Sequence, residues 1–145
     1  MEVPENMDVV TKIIHIDSNG EADTIDLTED AEKAVQESRL GNGVLTLFVQ
    51  GSTGALTTME YEEGLIKDLP VALERIAPKK AVYEHERRWH DGNGHSHVRA
   101  SLIGPSLSIP FVKGKLTLGT WQQIVFVELD TKSRSREIVA QIIGE

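Results

Sequence analysis

Val44-Leu45-Thr46-Leu47-Phe48-Val49-Gln50-Gly51-Ser52-Thr53-Gly54-Ala55-Leu56-Thr57-Thr58-Met59-Glu60-Tyr61 is the stretch that decides the fold class. Residues 44–50 carry no charge and are apolar, β-branched or aromatic up to Gln50, which reads as a buried strand. Residues 51–54 have loop or bulge chemistry, and residues 55–61 read as a second strand. The period then changes. Leu65, Leu69, Leu73 and Ile76 recur at the spacing of one helix face, predicting a helix over 64–76. Pro70 lies within that stripe, where it kinks the helix or restarts it as a first-turn proline, and Pro78 closes it.

Working outward, residues 9–16 (V-V-T-K-I-I-H-I) read as a strand and Ser18-Asn19-Gly20 as a turn. Thr28 is a suitable N-cap for a helix whose first turn holds Glu29, Asp30 and Glu32. Ala31, Ala34, Val35 and Ser38 give this helix a small apolar face, and Gly41 is placed to end it in the left-handed conformation. Residues 83–97 are polar and histidine-rich and read as a structured loop; 98–103 fit a short helix or a strand. Residues 107–112, 121–130 and 137–143 read as strands, with Lys113-Gly114-Lys115 turning between the first two. The expected architecture is α+β: one compact domain over 1–145, mostly antiparallel sheet with two main helices, and no internal repeat or linker.

The chain carries 23 acidic against 15 basic residues, a net charge of −8. That balance argues against a nucleic-acid partner, whose binding draws on a basic stripe. No apolar run approaches the roughly 18 residues of a membrane span. Met1-Glu2-Val3-Pro4-Glu5 lacks the basic and apolar start of a signal peptide, so the cytoplasm is expected. Cysteine is absent, so a transition-metal site must be built from histidine and carboxylate.

Four of the five histidines (His85, His90, His95 and His97) fall within one short stretch, interleaved with Glu84, Glu86 and Asp91. Imidazole and carboxylate together suit a divalent ion, here zinc, manganese or magnesium. His85-Glu86-Arg87-Arg88-Trp89-His90 has one residue too many for the H-E-x-x-H protease pattern, because i and i+5 do not share a helix face. His95 and His97 would face the same way on an extended segment. His85, His95 and His97 are the candidate ligands. His15, alone in an alternating strand, reads as structural.

His95-Ser96-His97-Val98-Arg99-Ala100-Ser101-Leu102-Ile103-Gly104-Pro105-Ser106-Leu107-Ser108-Ile109-Pro110, followed by Leu118-Gly119-Thr120-Trp121-Gln122-Gln123-Ile124, Glu128 and Arg134-x-Arg136, resembles the central pattern of the YjbQ family. Ser52-Thr53-Gly54-Ala55-Leu56-Thr57 with Glu60, and Tyr83-Glu84-His85, resemble its upstream elements, so the likeness spans nearly the whole chain. Many members have histidine where this chain has Gly51, and asparagine where it has Met59.

The resemblance implies a homotrimer of compact α+β subunits with a polar cleft and a small phosphorylated ligand. It also implies a secondary thiamine-phosphate synthase activity, joining a hydroxymethylpyrimidine diphosphate to a thiazole phosphate with release of pyrophosphate. Such a transferase would draw on Glu60, Ser101, Ser106 and Glu128 for catalysis. Arg87, Arg88, Arg99, Thr120, Trp121 and Gln122 would hold substrate, with a divalent ion neutralising the leaving group. The alternatives are a metal-dependent hydrolase in the same cleft and a non-catalytic trimeric ligand-binding or scaffold protein. Glu128 has a bland alternative of its own, a structural ion pair with Arg134 or Arg136.

Overall fold

A computed structural model describes residues 6–145; the amino-terminal segment read above for a signal peptide lies outside the described residues. The elements are β1 (Asp8–Asp17), β2 (Asp23–Asp26), α1 (Thr28–Ser38), β3 (Gly43–Val49), β4 (Gly54–Met59), α2 (Glu63–Ile76), α3 (Glu84–Trp89), α4 (Gly94–Ile103), β5 (Ser106–Val112), β6 (Lys115–Leu116), β7 (Gln123–Glu128) and β8 (Ser135–Gly144). They build two antiparallel sheets. The larger has the order β1-β8-β3-β5-β6, and the smaller β2-β7-β4.

The expected α+β class holds, with α3 and α4 joining the two helices read from sequence. Residues 98–103 resolve to helix, and the histidine-rich stretch is not a loop but two helices meeting at a corner. β2 is too short and too polar (D-T-I-D) to announce itself by pattern.

β7 shows how burial follows sequence. Ile124 and Phe126 point into a core shared with Leu45, Leu47, Phe111, Ile138 and Ile142 of the large sheet and Ala31, Ala34 and Val35 of α1. Val125 and Val127 point the other way, onto Leu73 of α2 and Ala100 of α4. The small sheet is therefore a middle layer, covered on both faces. A strand buried on both faces is continuously apolar rather than alternating, as 124–127 are.

Two helix ends differ from expectation. Thr28 is the first residue of α1 rather than its cap, because Asp26 Oδ1 takes both the Thr28 N–H (2.9 Å) and its hydroxyl (2.6 Å). The left-handed residue closing α1 is Arg39 (φ 61°), ahead of Gly41. α2 runs unbroken through Pro70, and its buried stripe ends on Ala77 rather than Ile76, which is 65% exposed. Glu62 caps α2 by accepting the N–H groups of Gly64 and Leu65.

Candidate metal centre

Local sequence builds a sharp corner between α3 and α4. His90 closes α3 in the left-handed conformation (φ 52°), with its N–H on Glu86 O at 2.9 Å, and Gly92 follows at φ 67°. Asp91 Oδ1 accepts the Asn93 N–H at 3.1 Å, a side-chain turn that feeds the chain into α4. Glu86 Oε1 accepts the Gly94 N–H at 2.6 Å and so satisfies one of the free donors at the start of α4. Gly94 is required there: a Cβ would stand 2.6 Å from Tyr83 Cβ and 2.7 Å from Glu86 Oε1. The Asn93 side chain ties the corner to the protein by donating to Asp130 Oδ2 at 3.3 Å.

The corner brings His85 of α3, Asp91 of the turn and His97 of α4 together, with one ligand atom from each within 4.8 Å of the others. His85 Nε2 and Asp91 Oδ2 are 3.3 Å apart, and the two imidazole rings lie 4.4 Å apart at 45°. Two donors at about 2.1 Å from one tetrahedral zinc are separated by about 3.4 Å, so small side-chain rotations close this set on an ion. Burial alone would raise the Asp91 pKa, but the Asn93 N–H and His85 outweigh it and hold the carboxyl below its ordinary value. The carboxylate is thus kept ionised.

His95 does not join them. On a helix, residues two apart point about 200° away from each other, so an α-helical 95–97 sends His97 to the cluster and His95 into the protein. His95 is 1% exposed, and its Nε2 lies 2.6 Å from Glu21 Oε1. Glu21 also accepts Lys79 Nζ at 2.7 Å. Burial pushes the Glu21 pKa up, but Lys79 and His95 together bring it below its ordinary value. The candidates that converge are His85, Asp91 and His97, in place of the expected His85, His95 and His97.

The remaining candidates are dispersed. Glu128 is completely buried: Oε1 accepts Ser18 Oγ (2.7 Å) and Arg136 Nε (2.9 Å), and Oε2 accepts Arg136 Nη2 (2.6 Å). It is the structural ion-pair partner, and it has no free oxygen facing a cleft. Arg99 is also consumed inside, donating to Ala77 O at 3.0 Å and Glu74 Oε2 at 2.6 Å. Arg87 pairs with Glu84 on the surface of α3, and Arg88 lies over the exposed Trp89. Ser106 and Gln122 line a hydroxyl-rich groove with Thr57, Thr58, Ser108 and Thr117. Glu60, Thr120 and Trp121 are exposed, Trp121 by 73%. Ser101 comes close to His97, its Oγ donating to His97 O at 2.8 Å.

A buried polar network that sequence reasoning missed runs behind the corner. Asp130 Oδ2 accepts from Thr53 Oγ1 (2.9 Å), Asn93 Nδ2 (3.3 Å) and Arg134 Nη2 (3.0 Å), while Oδ1 accepts the Lys132 N–H (3.0 Å). Burial opposes the charge. The donors from Lys132, Thr53 and Asn93 and the positive Arg134 outweigh that opposition and hold the carboxyl at about 2. The only sequence signal was the spacing of Glu128, Asp130, Arg134 and Arg136 around one turn.

Residues 12–145 match the family model described as UPF0047 protein YjbQ-like. A UPF0047 protein of Methanothermobacter thermautotrophicus is 35% identical over 139 residues, covering 96% of this chain and 95% of its own. The crystal structure of a YbjQ-like protein from Sulfolobus solfataricus superposes with a TM-score of 0.92 at 32% identity, over 97% of this chain and all of that one. A YjbQ/UPF0047 structure from Clostridium acetobutylicum gives 0.83 at 33% identity, over 90% and 98%. None of these relatives is described with thiamine-phosphate synthase activity, and the first of the two structures is described as a protein of unknown function. The synthase expectation is corrected accordingly. The placement of Glu128, Thr120 and Trp121 away from the histidines, and the commitment of Arg99 to Ala77 and Glu74, agree with that correction. Among the described residues, no helix is long and apolar enough to cross a membrane.

Proposed function

The chain belongs to the UPF0047 family of YjbQ-like proteins, and from that premise we propose that it is a divalent-metal-binding protein whose ion is held by His85, Asp91 and His97. The observation that carries this reading is the convergence of three ligand atoms from two helices and their connecting turn to within 4.8 Å. Two imidazoles and one carboxylate are a donor set suited to zinc, manganese or iron, and three protein ligands leave coordination positions open. An ion so held supplies Lewis acidity to whatever occupies those positions. The residues fit the role: Asp91 is held ionised, and the Asp91 and Gly94 turns fix the corner without using His97. Calorimetric titration of zinc into metal-free protein tests it. One site per chain is expected, and loss of that site in His97→Ala; a heat profile unchanged by the substitution would defeat the proposal.

Self-assembly as a homotrimer is a second proposal, supported by the outer face of the large sheet. Ile143 pairs with Val9 on one side and Val44 on the other, and Val139 likewise with Ile13 and Phe48. Between these rows, Gln141 joins Thr11 and Thr46, and Thr46 faces Ser108. Val9, Ile13, Val44, Phe48 and Ile143 are each more than 40% exposed. The rows are free of charge in a chain of net charge −8, so another copy meets no like charge there. That makes a further copy of this chain the partner the face suits.

A further inference from the structure

Next to the histidine corner lies a cavity of about 180 Å³, bordered by Gly51, Ser52, Gly54, His97 and Ser101. We infer that this cavity is a subsite for a small oxyanion, a phosphate or carboxylate group, placed between the ion on His97 and the guanidinium of Arg136. The inference rests on the metal reading and adds the class of ligand the ion's open side takes.

Arg136 supplies the first observation. Its side chain is 9% exposed, and two of its three nitrogens are committed: Nε and Nη2 to Glu128, and Nη2 also to Thr53 Oγ1 at 2.9 Å. The guanidinium lies over the Phe126 ring at 5.9 Å, which with Glu128 fixes its plane. Nη1 makes no hydrogen bond among the described residues, and it is not one of their enclosed unpartnered atoms. It ends 2.8 Å from where a Cβ on Gly51 would stand. Glycine at 51, with φ +131°, leaves that approach uncovered, whereas any side chain would sit against Nη1.

The loop supplies the second. Thr53 is anchored by its carbonyl, which accepts the Leu129 N–H at 2.9 Å, and by its hydroxyl on Asp130. The N–H groups of Gly51, Ser52 and Thr53 donate to no acceptor among the described residues. A held loop with uncommitted backbone donors beside an uncommitted guanidinium edge is the arrangement that receives an anion. The volume admits a group of a few heavy atoms, not a nucleotide.

Charge decides what such a ligand depends on. Glu128 neutralises Arg136, so the guanidinium edge and the loop give direction, while the net positive charge comes from the ion at His97. Anion affinity should therefore require the metal.

Inorganic phosphate titrated calorimetrically into zinc-loaded and zinc-free protein tests this, with zinc content measured on the same samples. Zinc-loaded wild type should bind phosphate at least about tenfold more tightly than the zinc-free form. Gly51→Ala, which puts a methyl group against Nη1, should weaken phosphate by about tenfold or more while keeping its zinc. Ser101→Leu, which fills the cavity from an exposed helix position, should do the same without touching the loop. Wild type that holds zinc but shows no phosphate binding would overturn the subsite and leave the metal reading standing; so would both variants binding as wild type. Wild type that takes up no zinc would remove both.

Discussion

Arg136 lies flat against the fully buried carboxylate of Glu128, with Nε on Oε1 at 2.9 Å and Nη2 on Oε2 at 2.6 Å. Glu128 had been a candidate for catalysis, with an ion pair to Arg134 or Arg136 as its alternative; the pair with Arg136 braces β7 against β8 from inside. Removing one partner of such a pair leaves an uncompensated buried charge. Glu128→Gln should therefore cost about 3–5 kcal/mol of folding stability, read as a shift in the denaturant midpoint. If Glu128 served catalysis from an accessible position, the substitution would leave the midpoint nearly unchanged.

His85, Asp91 and His97 should behave as a unit towards zinc. Asp91→Ala and His97→Ala should each lower zinc affinity at least about 100-fold, more than the roughly 10- to 100-fold typical of a group that only orients a ligand. His95→Gln should keep one zinc per chain, because His95 faces Glu21. Competition titration with a chromogenic chelator checks all three. Zinc lost from His95→Gln with its fold intact would restore the ligand set first expected.

The acid limb of stability should carry the signature of Asp130. Its folded-state value of about 2 lies below the ordinary carboxylate value of 3.8. The unfolded chain therefore binds the proton first, and the stabilisation is present above about pH 4 and lost as pH falls through about 2. Glu21, also lowered, adds to the same trend. Asp130→Asn should reduce stability at neutral pH and flatten the slope between pH 4 and 2, measured by urea unfolding at stepped pH. An unchanged slope would show that Asp130 is not held by its four donors.

The sequence was legible where burial was apolar. The run 124–127 is explained by the two cores it fills, and Leu69 and Leu73 by the second of them. It was opaque where burial was polar. α4 buries Gly94, His95, Ser96 and Arg99 beside Ala100, so its inner face carries no hydrophobic period to read, and residues 95–97 passed as extended. The clustering of histidines and the family pattern put His95 among the candidate ligands, and nothing in that reading showed its side chain turned inward. Asp91 went unread as a candidate ligand because its position depends on left-handed residues at His90 and Gly92, and only Gly92 has the composition that advertises such a conformation.

The outer face of the large sheet should be where copies of this chain meet. Phe48 is 44% exposed and ends the row Ile13–Val139–Phe48, with Ser106 as its neighbour on the other side, so it presents a large apolar surface on the outer face of the sheet. Phe48→Asp sets a negative charge there on every subunit. Nothing on the neighbouring Thr46, Gln141 or Val139 can neutralise it, and symmetry repeats the charge around the assembly. The side chain packs against no other layer of its own subunit, so the fold should survive. Sedimentation equilibrium at micromolar concentration should give a trimer for wild type and a monomer for Phe48→Asp, with unchanged far-ultraviolet circular dichroism. Monomeric wild type would refute the assembly, and a trimeric variant would move the contact to another face.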